Sequence, residues 1–276
     1  MPNSNYGTLF LVSTPIGNLS EASPRVIETL RNAGVIACED TRNTRKLLAH
    51  FDIHTKMVAY HNFNEEEESK KIVDILKNGE DVALVSDAGY PLISDPGYVL
   101  VNDVIDNDIK ITVVSGPNAG LNALVASGLE TAHYLFYGFL NAKPSTARKE
   151  LEELKTFPYT MIFHEAPHRI NKTLELMSEV LGNRKICIAR ELTKIHEEFI
   201  RGNINDLLSV DIKGEMVIVV EGNKEETEEL KPEDLNTEVN ELIEKGMKTK
   251  DACKFVADKY KVSKNDLYNN YLRNKN

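Results

Sequence analysis

The sequence predicts an α/β protein: two α/β domains, plus a small helical C-terminal domain. Three observations predict the layers. Short, wholly apolar runs alternate with helical periods through the first half, which gives a mainly parallel sheet with helices on both faces. Three strand-like runs crowd together after residue 184, which points to antiparallel pairing in the second half. Charge then switches sign: residues 221–245 hold ten acids and three bases, and residues 246–276 hold eight bases and three acids. That pattern reads as an acidic linker followed by a separate unit.

In order, Leu9-Phe10-Leu11-Val12 reads as a strand. Ser23-Pro24 reads as an N-cap with proline at the first helical position, and Gly34 follows the end of that helix. Val35–Cys38 is the next strand, and Asp40 or Thr41 caps a helix through Leu47 and Leu48. Glu65 to Lys77 is a helix with Ile72, Ile75 and Leu76 on one face. Val82–Val85 is a buried strand, a helix follows Pro96, Ile111–Val114 is a strand, and Asn118 to Ser127 is a helix. Tyr134–Phe139 and Tyr159–Phe163 are strands, with helices predicted from Pro144 and over Ala166 to Leu181. Lys185–Ala189, Glu198–Arg201 and Glu215–Val220 are the closely spaced strands. The domains are therefore 1–130, 131–222 and 223–276. In the last, Val239, Leu242, Ile243, Phe255, Val256, Leu267 and Leu272 are the expected small core of short helices.

Of 276 residues, 41% are hydrophobic and 28% charged, an ordinary globular balance. No apolar run approaches the ~20 residues needed to span a bilayer, and the first residues lack the pattern of a secretion signal. Cys38, Cys187 and Cys253 are few and far apart, which suits a reducing cytoplasm and no metal cluster. The net charge of −10 argues against non-specific nucleic-acid binding, though not against a local basic surface.

Ser86-Asp87-Ala88-Gly89-Tyr90-Pro91-Leu92-Ile93-Ser94-Asp95-Pro96-Gly97 carries two glycines, two prolines and two aspartates directly after a buried strand. A turn needs about four residues, and ligands bind beyond the carboxyl ends of strands in open α/β sheets. Ser13-Thr14-Pro15-Ile16-Gly17-Asn18 and Ser115-Gly116-Pro117-Asn118 follow other strands in the same way. No dinucleotide fingerprint, P-loop or nucleophile elbow is present. A second set of polar residues sits at element ends. Arg42 and Arg45 are one helical turn apart, Phe163-His164-Glu165-Ala166-Pro167-His168-Arg169 joins a strand to a helix, and Arg190-Glu191-Leu192-Thr193-Lys194 lies between two strands. The plain alternative for each is a solvated loop with ordinary salt bridges.

Together Thr14–Leu19, Glu39–Arg42, Ser86–Gly97, Ser115–Pro117, Tyr137–Phe139, His164–Arg169 and Ala189–Lys194 resemble the ribosomal RNA small-subunit methyltransferase I family, of the tetrapyrrole-methylase fold, which implies that the two α/β domains face an interdomain cleft. The resemblance covers about residues 7–222, with its motifs in one order. It implies an S-adenosylmethionine-dependent enzyme that methylates the ribose 2′-hydroxyl of a cytidine in small-subunit (16S) rRNA. It further implies a cytoplasmic homodimer acting on that rRNA or the 30S subunit, with no membrane partner. Cofactor contacts would fall on Pro15, Asp87, Ala88, Gly89, Leu92, Ser115, Pro117 and Asn118, then near Phe163, His164 and the Met216–Val219 strand. RNA contacts would fall on Arg42, Arg45, His168, Arg169 and Arg190. A base that takes the hydroxyl proton would be one of Glu165, His164, Lys194 and Glu191. The alternatives are a tetrapyrrole methylase and a non-catalytic RNA-binding or ribosome-assembly protein on the same fold.

Overall fold

In the computed structural model, residues 5–209, 213–224, 232–260 and 262–274 are described. The first sheet holds β1 (Thr8–Val12), β2 (Val35–Cys38), β3 (Lys56–Ala59), β4 (Val82–Val85) and β5 (Lys110–Val114). Its order is β3-β2-β4-β1-β5, and every pairing is parallel. Strand side chains alternate between faces. Val82 and Leu84 pack with Ile72, Leu76, Leu100 and Val104 of helices α3 (Glu65–Lys77) and α4 (Tyr98–Asp106). Ala83 and Val85 pack on the other face with Val26, Leu30, Leu47 and Leu48 of α1 (Pro24–Asn32) and α2 (Thr41–His50). A strand covered on both faces must be apolar throughout, which is why β4 has no polar residue.

The second sheet holds β6 (Tyr134–Phe139), β7 (Thr160–Glu165), β8 (Lys185–Arg190), β9 (Glu198–Asn203) and β10 (Met216–Val220). Its order is β6-β7-β10-β8-β9; β6 and β7 are parallel, and the other pairs antiparallel. Met216, Ile218 and Val220 face the core under α6 (Pro144–Leu154) and α7 (Ile170–Leu181). Val217 and Val219 face the other way, onto Ala123 and Leu124 of α5 (Ala119–Ser127). Helix α5 thus leaves the first sheet and covers the second, and Met1–Asn223 forms one compact unit. Arg201 on β9 donates to the Ser127 carbonyl at 3.2 Å, a cation at the carboxyl end of α5 where the helix dipole favours it.

Lys224–Asn276 forms a second unit, with α8 (Pro232–Glu244), α9 (Thr249–Tyr260) and α10 (Lys264–Asn274). Leu235, Val239, Cys253, Val256, Leu267 and Tyr271 are buried in its core. Phe255 and Leu272, expected inside, are exposed; Ala252, Ala257 and Tyr271 take the inward positions. Two further expectations change. Strand β3, an edge strand with no fully buried residue, was not predicted. Helix α7 starts at Ile170, because Ala166–Arg169 forms a turn closed by a bond from the Arg169 amide to the Ala166 carbonyl, 3.0 Å.

Candidate active site

The loops after β1, β4 and β5 are fastened to one another. Thr14 and Gly89 exchange two backbone bonds at 2.9 and 3.0 Å. The Thr14 hydroxyl donates to the Ser86 carbonyl at 3.2 Å, the Ser13 hydroxyl to the Pro117 carbonyl at 3.1 Å, and the Gly116 amide to the Tyr90 hydroxyl at 3.3 Å. Within the β4 loop Leu92 and Ser94 hold left-handed φ of 72° and 70°. Such backbone costs about 1–3 kcal/mol per residue and clusters where a loop is shaped for a ligand. Gly97 closes the loop at φ 139°, where a Cβ would stand 2.9 Å from the Leu92 side chain.

These loops form one wall of a cavity of about 450 Å³, a size that suits a small ligand. Asp87, Ala88, Gly89 and Asn118 line it, with Ile16, Ile93, Ser94 and Asp95. The opposite wall comes from the second sheet: Phe136, Phe139, His164, Glu165, Leu192 and Glu215. Asn118 also caps α5, its side chain accepting from the Leu121 amide at 2.9 Å. Pro15, Leu92, Ser115 and Pro117 lie in the lining loops but do not line the cavity themselves. Phe163 is 1% exposed and points to the far face of its strand, where it packs on Tyr137.

His164 stands between Phe136 and Phe139, its ring edge-on to each at 5.2 and 5.4 Å. Its Nε2 is buried with no hydrogen-bond partner among the described residues, and burial lowers its pKa, so the ring is neutral at pH 7. Glu165 is engaged on both oxygens: it accepts from the Ala166 amide at 2.8 Å and from the Thr173 hydroxyl, and its Oε1 forms an ion pair with Arg169 Nε at 3.4 Å. Lys194 and Glu191 lie outside the cavity lining. Lys194 Nζ sits 3.0 Å from both Glu191 and Glu215. Burial alone would lower its pKa, but the two carboxylate bonds outweigh it and raise it, so the group is an ammonium. The Glu191 pKa is correspondingly lowered, first by the Lys194 bond.

Four residues the sequence reading did not single out shape the site. Asp95 lines the cavity, and burial pushes its carboxyl up to about 6; Glu39 and Asp87 add to the rise, and a bond from Ser86 opposes it. Glu215 is brought to Glu191 by the antiparallel pairing of β8 with β10. Phe136 and Phe139 come from β6, parallel to the strand carrying His164. Of the expected RNA-contacting residues, Arg42 is 83% exposed on its side chain and forked onto Asp40 at 2.7–3.2 Å. Arg45 and His168 are exposed. Arg190 is tied to Glu198 at 2.7 Å and to the Lys213 carbonyl at 3.1 Å, and Arg169 to the Leu140 and Asn141 carbonyls, each at 3.1 Å. Among the described residues no group of His, Cys, Asp and Glu could hold a metal ion.

The sequence profile of the tetrapyrrole (corrin/porphyrin) methylases matches residues 8–208. The chain is 48% identical over 273 residues to the ribosomal RNA small subunit methyltransferase I of Halalkalibacterium halodurans, covering 96% of this chain and 94% of that protein. It is 46% identical over 277 residues to the protein of the same name from Bacillus subtilis, covering 97% and 95%. Among solved structures, uroporphyrin-III-C-methyltransferase from Thermus thermophilus superposes with a TM-score of 0.56 at 17% identity, over 78% of this chain and 94% of that one. The methyltransferase CobJ gives 0.59 at 18%, over 78% and 94%. These two likenesses are of fold.

Proposed function

We infer that this chain, which belongs to the tetrapyrrole (corrin/porphyrin) methylase family and within it to the ribosomal RNA small subunit methyltransferase I family, methylates the ribose 2′-hydroxyl of a cytidine in small-subunit rRNA. That it is a methyltransferase follows from the family. The choice of acceptor and of S-adenosylmethionine as the donor is our reading. The acceptor follows the named relatives, and one observation carries the choice of donor: among the described residues the cavity is lined by Asp87, Asp95, Glu165 and Glu215 and by no Lys or Arg. Such a wall suits a ligand that carries positive charge, and S-adenosylmethionine carries a sulfonium and an ammonium.

Asp87, Ala88, Gly89 and Asn118 would hold the donor from the first sheet, and His164 and Glu215 would face it from the second. When bound, the donor supplies an electrophilic methyl group. The chain's own residues must then hold the ribose oxygen in line and take its proton. Of the four candidate bases His164 fits best, because it lines the cavity and its neutral ring has a buried Nε2 with no hydrogen-bond partner among the described residues. Glu165 has its oxygens occupied, and Lys194 is an ammonium held by Glu191. Arg42, Arg45 and His168 would contact RNA phosphates; the acidic total leaves this task to a local surface. The protein would work as a cytoplasmic homodimer on the 30S subunit or its rRNA. Among the described residues no helix is long and apolar enough to cross a membrane.

The test is incubation of the purified protein with methyl-labelled S-adenosylmethionine and unmodified small subunits, with uroporphyrinogen as a parallel acceptor. Label in the rRNA and none in the tetrapyrrole is expected. The reverse pattern would replace the acceptor, and tight donor binding with label in neither would favour the non-catalytic alternative.

A further inference from the structure

Glu165, the last residue of β7, and Arg169 in the turn that follows tie two strand ends together. Strand β6 is the edge of the second sheet and pairs only with β7. Its register shifts between Phe136 and Gly138, and Gly138 holds φ 83°. An edge strand with a bulge is weakly fixed by its own ladder. Yet Phe139, at its end and directly opposite His164, lines the cavity with its ring edge-on to the imidazole. Something beyond the ladder must hold it there.

Arg169 supplies that hold. Its Nη2 donates to the carbonyls of Leu140 and Asn141, the two residues after Phe139, each at 3.1 Å. Its Nε faces Glu165 Oε1 at 3.4 Å, and the Glu165 side chain is 1% exposed. Glu165 is fixed in turn by the Ala166 amide and by the Thr173 hydroxyl of α7. A planar guanidinium can serve a carboxylate and two carbonyls together, which an ammonium does less well.

We propose that Arg169 is a positioning residue: it latches the end of β6 to Glu165 and thereby sets Phe139 against His164 in the wall of the cavity. Its Nε and Nη2 are engaged by Glu165 and the two carbonyls, so they set the ligand site and do not read RNA phosphate. The inference rests on the reading of the cavity as the donor site.

The test uses the full-length chain and the variants Arg169→Ala, Arg169→Lys and Thr173→Val. Three quantities are read: affinity for S-adenosylhomocysteine by calorimetry, the His164 titration by NMR, and the slope of small-subunit affinity against salt. Arg169→Ala should weaken S-adenosylhomocysteine about tenfold. The His164 pKa should move up toward the ordinary value of about 6.5 as water reaches the ring, and the salt slope should stay at its wild-type value. Arg169→Lys should fall between. Unchanged S-adenosylhomocysteine affinity and His164 titration, with a salt slope reduced by about one, would overturn the latch and make Arg169 a phosphate contact. If Arg169→Ala does not fold, Arg169→Lys and Thr173→Val are judged by the same three readings. A wild type that binds no S-adenosylhomocysteine would refute the donor-site reading, and the His164 titration would still decide the latch.

Discussion

His164 and Asp95 show how burial shapes chemistry one side chain at a time. His164 lies between two phenyl rings; burial there keeps it neutral and leaves its Nε2 without a hydrogen-bond partner among the described residues. Removal of a positioned proton acceptor typically costs about 10²–10⁴-fold in rate. His164→Ala should therefore lower kcat by that order, measured as label transferred per minute at saturating subunit. Asp95 makes the opposite case. Its folded pKa, about 6, lies above the unfolded value, so between about 4 and 6 the native state binds the extra proton. Stability from this group is thus lost as pH rises through 6. Asp95→Asn should match wild type in Tm near pH 4 and exceed it by pH 8; an equal gap at both values would assign the pKa rise to another group. In the sequence Asp87-Ala88-Gly89 was legible, because glycine and proline mark a shaped loop. Glu215 and Phe139 were not, because each reaches the cavity through strand pairing that no local pattern encodes.

Elements show the same division. Strands β2 and β4 were legible because burial on both faces demands an apolar run, whereas Lys56–Ala59 on the sheet edge carries too little apolar signal. The start of α7 was misplaced because the Ala166–Arg169 turn serves the latch and not the helix. The joint between α3 and α4 was also hidden. Tyr60, 1% exposed, accepts from the Leu100 amide at 3.3 Å and pairs with the Ser69 hydroxyl at 3.0 Å, while Glu65 accepts from the Gly97 amide at 2.7 Å. Tyr60→Phe should cost about 1–3 kcal/mol in urea unfolding, the usual penalty for orphaned buried partners. Between the two sheets, Gly17 lies under the Lys194 loop. A Cβ there would meet Lys194 Cγ at 2.7 Å and Thr193 Oγ1 at 2.9 Å, at φ 154°. Gly17→Ala should displace that loop, and with it Leu192 and Glu215, and weaken S-adenosylhomocysteine binding without lowering affinity for RNA.

Across the whole molecule, every residue that lines the cavity lies between Ile16 and Val217, inside the first compact unit. A chain ending at Asn223 should therefore bind S-adenosylhomocysteine with wild-type affinity in calorimetry. Loss of binding would assign residues 224–276 a part in the site. The boundary expected near residue 222 rests on charge, since a run of acids there cannot bury a core. The packing of α5 was not legible: it belongs by sequence to the first sheet and by packing to the second. The most direct measurement digests rRNA from small subunits treated with the protein and labelled donor, then identifies the modified nucleoside by mass spectrometry. A single product is expected, cytidine methylated on the ribose 2′-oxygen. Label on a base atom, or spread over many nucleotides, would contradict it.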